Sequence, residues 1–223
     1  MIIAVDGPAG AGKGTISRAL AQHFSLKYID TGLMYRALAY KALAEGMNLE
    51  HEDSLVSVAK TLKTDDLQLP ELRMEEVGNA ASKIAVLAAV REQITVHTRR
   101  FSQEITLPYC GVVLDGRDIG TVVCPEADIK IFVTASPIIR AERRLAEMIR
   151  SGNRPLPNML EQIIERDHRD QTRAASPLVP ATGATVLDTS ELTIQDACQR
   201  AFAIVMGYQN ERGRELRIVN SCR

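Results

Sequence analysis

The apolar run Ile2-Ile3-Ala4-Val5 leads into Gly7-Pro8-Ala9-Gly10-Ala11-Gly12-Lys13-Gly14-Thr15, and a helical pattern follows. A strand, a glycine-rich turn, a lysine, a hydroxyl and a helix leave the chain few local geometries. Gly7, Gly10 and Gly12 let backbone N–H groups turn inward without Cβ clashes. Lys13 adds a compact point charge. The helix start adds unpaired N–H groups and the positive end of its dipole. The whole segment from Gly7 to Thr15 therefore reads as a cradle for a triphosphate. Its match to G-x-x-x-x-G-K-[ST] is displaced by one position, because Gly14 stands between Lys13 and Thr15.

The remaining composition narrows the partners. With 223 residues the chain can build one large domain around a substantial core. A net charge of −1 and the absence of Trp argue against nucleic acid, bound either electrostatically or by base stacking. The longest apolar run, residues 84–90, is too short to cross a bilayer, and no export signal precedes the first strand. Neither nucleic acid nor membrane is an expected partner. Cys110, Cys124, Cys198 and Cys222 are scattered, which favours free thiols in a reducing, cytoplasmic setting. Cys110 and Cys124 read as small buried hydrophobes.

Strand-like and helical segments alternate, the pattern of an α/β fold with a parallel sheet. Strands are expected at residues 2–5, 27–30, 111–115, 127–134 and 185–188. Helices are expected at 13–24, 33–43, 137–150, 158–172 and 194–206. Gly46 is placed to end the second helix, and Ser136-Pro137 opens the helix at 137 in the N-cap and N1 roles. From 52 to 107 the pattern is helical with one break at Leu69-Pro70-Glu71, the place for a substrate-binding appendage. The tail from 210 to 223 reads as loosely held.

Further chemistry sits at strand ends, where ligands gather in open α/β sheets. Thr31 and Arg36 follow the second strand; Thr31 also suits a helix cap, and Arg36 either a solvated surface or an acceptor phosphate. Asp115 ends a buried strand and, with Thr15, suits Mg²⁺ reached through phosphates or water. Arg117 and Asp118 follow on a tight turn, either as a structural ion pair or as ligand contacts. Between 136 and 175 every Lys or Arg is arginine: Arg140, Arg143, Arg144, Arg150, Arg154, Arg166, Arg169 and Arg173. Solvent-facing charge accounts for Arg140. Arg166, Asp170 and Arg173 share one helix face by spacing. Arg150 and Arg154 flank Gly152, which suits a short lid over residues 150–158.

The motifs G-P-A-G-A-G-K-G-T, D-T-G-L-M-Y-R, N-A-A-S-K-I-A, V-R-E, D-G-R-D-I-G-T-V-V and R-D-H-R-D-Q-T-R-A-A-S-P-L occur in this order from residue 7 to 178. Together they resemble the bacterial cytidylate kinases, a family of P-loop nucleoside monophosphate kinases. The resemblance implies a P-loop NTPase-type parallel sheet flanked by helices, forming a single domain over 1–223. A helical monophosphate-binding segment over 31–107 and a short lid would complete it. The implied reaction transfers the γ-phosphoryl of ATP to CMP or dCMP with Mg²⁺, in a monomer. Thr31, Arg36 and Arg117 would then meet the acceptor and its phosphate. Ser82, Arg91 and Asp118 would meet cytosine with Arg173 nearby, while Arg166 and Asp170 would lie close to sugar and phosphates. Lys13, Arg117, Arg150 and Arg154 would stabilise the transferring charge. One departure is visible: where many members carry a longer strand-rich insert, only residues 62–74 stand.

Two other readings compete. Another P-loop small-molecule kinase, of the uridylate/cytidylate or shikimate type, shares the cradle but not the base-edge chemistry of Asp118. A GTP-binding switch lacks support, because the chain carries no N-K-x-D motif.

Overall fold

The computed structural model describes residues 1–150, 152, 154, 155 and 157–213. Strands β1 (Ile2–Asp6), β2 (Lys27–Asp30), β3 (Val112–Gly116), β4 (Ile129–Thr134) and β5 (Thr185–Asp188) form one sheet in the order β2-β3-β1-β4-β5. β1 pairs in parallel with β3 and β4, and β4 with β5. Chain order reverses at β1, so the carboxyl end of β1 lies at a topological switch point. The helices are α1 (Lys13–His23), α2 (Thr31–Ala44), α3 (Glu52–Lys60), α4 (Glu75–Ile84), α5 (Ala88–Gln103), α6 (Pro137–Arg150), α7 (Met159–Thr172) and α8 (Ile194–Arg212).

The chain divides into two compact units. Among the described residues, the first comprises those within 1–29, 105–172 and 177–213 and contains the sheet. The central strands β1 and β3 are largely apolar because a central parallel strand is covered on both faces; every residue of β3 is buried. Ile3, Val5, Val113, Ile131 and Val133 pack with Ile16 and Leu20 of α1 and with Ala197, Ala201 and Val205 of α8. Each large side chain sealed there contributes roughly 1.5–3 kcal/mol. Gly7 leaves β1 at φ 145°, and a Cβ there would stand 1.9 Å from the Val133 carbonyl oxygen. Only glycine lets the loop pass so close to β4.

The second unit comprises residues 30–104 and 173–176. In it α2 packs on α3, α4 and α5. Residues 62–74 hold two 3-10 turns, Thr64–Gln68 and Pro70–Arg73, and no strand. A second interruption, at 85–87, separates α4 from α5, so the expected single break at Leu69-Pro70-Glu71 is too few. α2 also starts earlier than expected. Asp30, not Thr31, is its N-cap, accepting from the Gly32 N–H at 3.0 Å.

Three further expectations need correction. Cys110 is exposed and Cys124 half-buried, so neither is a core hydrophobe. α8 extends to Arg212, through the start of the expected loose tail, and residues 214–223 lie outside the described residues. Within the expected lid, Ser151, Asn153 and Leu156 also lie outside them.

Candidate active site

In the first unit the strand ends carry the chemistry. Gly12 (φ 91°) is the N-cap of α1, and no side chain accepts a hydrogen bond there. The first-turn N–H groups therefore point along the axis toward the loop, as an anion site requires. Lys13 is only 6% exposed, and its Nζ donates to the Pro8 carbonyl at 2.8 Å, folding the side chain back over the loop. Pro8 and Ala11 are buried, while Gly10 and Thr15 are exposed. Asp115 is buried at the end of β3 and accepts from the Tyr28 hydroxyl at 3.3 Å. Its Oδ2 also lies 3.3 Å from where a Cβ on Gly14 would sit, so the carboxylate stands beside the start of α1. One hydroxyl and one carboxylate beside a phosphate cradle fit Mg²⁺, which keeps several waters and rides on substrate phosphates. No group of three or more His, Cys, Asp or Glu able to cage a metal occurs among the described residues.

After β3, Ile119–Val123 forms one wide π-type turn, in which the Val122 and Val123 N–H groups donate to the Asp118 carbonyl at 2.9 and 3.1 Å. Asp118 is buried at 6% exposure. Arg117 donates through Nε to Asp170 Oδ2 of α7 at 3.2 Å and through Nη1 to the Gly116 carbonyl at 3.1 Å. Arg166 is half-buried one turn earlier on α7. The helix ends at Thr172, so Arg173 lies just past the helix face that its spacing suggested.

Two charged residues of the first unit take places that the sequence did not assign them. The first is Asp6, the last residue of β1, whose Oδ1 and Oδ2 accept the Ile119 and Gly120 N–H groups, both at 2.8 Å. Burial pushes its carboxyl up to about 6 from 3.8, and Asp118 adds to the rise, while the two N–H bonds and Lys13 oppose it. A raised carboxyl favours the protonated folded chain. That contribution is whole below the unfolded value and is lost as pH rises through about 6. Between about pH 4.5 and about pH 7 the wild type should lose about 2 kcal/mol relative to Asp6→Asn, measured by urea unfolding of both. A constant gap across that range would show that Asp6 does not titrate there.

The second is Arg140. It is not solvent-facing charge but a 3%-exposed side chain on α6. Its Nε donates to the Ala135 carbonyl at 2.9 Å and its Nη1 to the Ala9 carbonyl at 3.1 Å. Its guanidinium also pairs with both carboxylate oxygens of Asp167 on α7. A buried guanidinium is tolerated when its donors are met in this way. The signal was present: Arg140 precedes the apolar series Ala141, Leu145 and Met148 by one residue, at the edge of the helix's inward stripe. Arg143 reaches the same loop indirectly. It donates to Thr189 Oγ1 at 2.9 Å, and that hydroxyl donates to the Ala11 carbonyl at 3.0 Å.

The second unit groups Thr31, Arg36, Ser82, Arg91 and Arg173. Thr31, Ser82, Arg91 and Arg173 are buried despite their polarity. Arg36 donates through Nη1 to the Leu72 carbonyl at 2.7 Å, and a Cβ on Gly78 would lie 2.7 Å from its Nη2. Gly78, which the sequence reading passed over, thus leaves the space that the guanidinium fills. Arg91 donates to the Ala85 carbonyl at 2.9 Å and lies over the Tyr35 ring, 5.5 Å from its centroid. Arg173 Nε donates to the Ser176 carbonyl at 2.7 Å. Arg150 and Arg154 are exposed; Arg150 Nε donates to the Ala146 carbonyl of its own helix at 3.2 Å.

The family model for cytidylate kinase matches residues 3–206. The chain belongs to the cytidylate kinase family. Among its relatives, the cytidylate kinase of Bradyrhizobium sp. is 44% identical over 96% of this chain and 100% of its own length. That of Mesorhizobium japonicum is 48% identical over 91% of this chain and 93% of its own. That of Xanthobacter autotrophicus is 48% identical over 92% and 97%. The crystal structure of an uncharacterized protein from Eubacterium ventriosum superposes with a TM-score of 0.51 at 12% identity, covering 95% of this chain and 99% of that one, a likeness of fold. Membership makes the chain a nucleoside monophosphate kinase and sets aside the GTP switch. No helix among the described residues is long and apolar enough to cross a membrane.

Proposed function

We propose that the chain transfers the γ-phosphoryl group of ATP to CMP or dCMP, giving CDP or dCDP, as a cytoplasmic monomer. The observation that carries this reading is that one family match, over residues 3–206, contains both the lysine-bearing loop and the buried Asp118 turn. The nucleophile is an ionised phosphate oxygen, so no side-chain base is needed. The protein's work is alignment and charge stabilisation.

Lys13 and the loop N–H groups hold the outer phosphates of ATP. Thr15 and Asp115 would hold Mg²⁺, directly or through water, and the ion would supply charge neutralisation at the phosphates. In the second unit, Thr31 and Arg36 are assigned to the acceptor phosphate, and Ser82 and Arg91 to cytosine, with Arg173 beside them. Asp118 accepts from the cytosine amino group. Arg117 meets the acceptor phosphate, and Arg166 and Asp170 the sugar and phosphates. The Arg117–Asp170 ion pair supports this reading by fixing the guanidinium at the strand end. Arg150 and Arg154 are assigned to the transferring charge. The free thiols of Cys110, Cys124 and Cys198 support a reducing compartment.

A coupled assay with ATP against CMP, dCMP, UMP, AMP, GMP and shikimate tests the reading. CMP and dCMP should give the highest kcat/KM, with UMP at least about tenfold lower, since a site built to bond an amino group leaves polar atoms unpaired with a carbonyl. Faster turnover of UMP or shikimate would overturn it.

A further inference from the structure

The buried carboxylate of Asp6 has no part in the chemistry assigned above, and its placement is costly. It sits at the end of β1, one residue before the glycine-rich loop, 4% exposed and close enough to Asp118 for the two like charges to oppose each other. An apolar residue there would avoid both penalties. The carboxylate supplies two acceptors aimed at consecutive N–H groups, Ile119 and Gly120, each at 2.8 Å. These are the first two residues after Asp118, and they open the π-type turn that closes back on the Asp118 carbonyl. Such turns cluster at functional sites because they hold backbone out of the ordinary helical path. A buried N–H left without an acceptor keeps its full desolvation penalty, so losing the clamp would drive the turn to rearrange.

We propose that Asp6 is a positioning residue for acceptor recognition: its two-point clamp on Ile119 and Gly120 fixes the backbone from which Asp118 reads the base. The proposal rests on the reading of Asp118 as the cytosine contact. Asparagine at position 6 keeps one acceptor oxygen and turns a donor toward the other N–H; alanine keeps none. Damage should therefore be graded.

The test compares wild type, Asp6→Asn and Asp6→Ala in steady-state assays with ATP against CMP and UMP. Backbone amide exchange of Ile119 and Gly120 is followed by NMR in the same proteins. Expected for Asp6→Asn are faster exchange at one or both amides, a KM for CMP raised about tenfold, and a fall in CMP-over-UMP preference of about threefold or more. The KM for ATP should stay within about twofold, and Asp6→Ala should exceed Asp6→Asn in each effect. Faster exchange with CMP affinity and preference intact would overturn the proposal, as would an equal rise in both KM values. A change confined to the KM for ATP would assign Asp6 to Lys13 and overturn it too.

If neither variant folds, Gly120→Ala serves instead. Its methyl group would stand 3.1 Å from Ala181 Cβ and 3.4 Å from Asp6 Oδ2, pushing the turn while keeping the carboxylate. The same split between CMP and ATP is expected, and its absence overturns the clamp. A wild type that shows no preference for CMP over UMP refutes the proposed function itself, before any variant is compared.

Discussion

Lys13→Ala is expected to lower kcat by roughly two to four orders of magnitude while the protein stays folded. No other lysine lies in the loop, and this one is held there by its bond to the Pro8 carbonyl. Charge moves toward the outer phosphate oxygens as the γ-phosphoryl leaves ATP, so a fixed ammonium is worth more in the transition state than in the ground state. The loss corresponds to about 2.7–5.5 kcal/mol of barrier. The KM for ATP should rise far less, because the N–H groups of the loop and of the α1 start remain. Thermal unfolding of the variant, set beside single-turnover rates, separates a chemical defect from a folding one. A folded variant with kcat within about threefold of wild type would remove Lys13 from catalysis.

Asp118→Ala should act on the other substrate. It removes a carboxylate but leaves the backbone carbonyl that accepts from Val122 and Val123, so the turn keeps its own bonds. A hydrogen bond to a charged group is worth about 1.5–3 kcal/mol, which predicts a KM for CMP raised about ten- to a hundredfold. The KM for ATP should hold nearly constant, and the preference for CMP over UMP should shrink by a similar factor. Losing a like charge beside Asp6 also lets the Asp6 carboxyl ionise more readily. An unchanged ratio of CMP to UMP turnover would exclude Asp118 from base recognition. Equal rises in both KM values would make its role structural.

The parts that local chemistry dictates were legible in the sequence. Gly7 to Thr15 needs a strand before it and a helix after it, and β1 and α1 stand there. All five strands fall where the sequence placed them, to within two residues at either end. Buried parallel strands read as unbroken apolar segments, and the resemblance in five further motifs carried the family. The end of β3, which presents Asp115 and then Arg117 and Asp118, was legible for the same reason.

What the tertiary structure decided is which polar residues the fold encloses. One-dimensional spacing gave Arg140 the look of a surface charge. Its burial depends on Asp167, 27 residues away, and on the Ala9 carbonyl, 131 away, and no local pattern records either partner. Asp6 lies one residue past the strand expected at 2–5, and only Ile119 and Gly120, 113 and 114 residues distant, give it a role by donating to it. Gly78 gained its meaning only from the Arg36 guanidinium lying against it. Cys110 lost its expected place in the core, since a thiol's exposure depends on what the chain packs over it. Residue type and spacing determined the elements and the loop, because these follow from backbone sterics and short-range bonding. The cost of burying a charge is met only by partners that the folded chain brings from far along the sequence, so those assignments belonged to the tertiary structure.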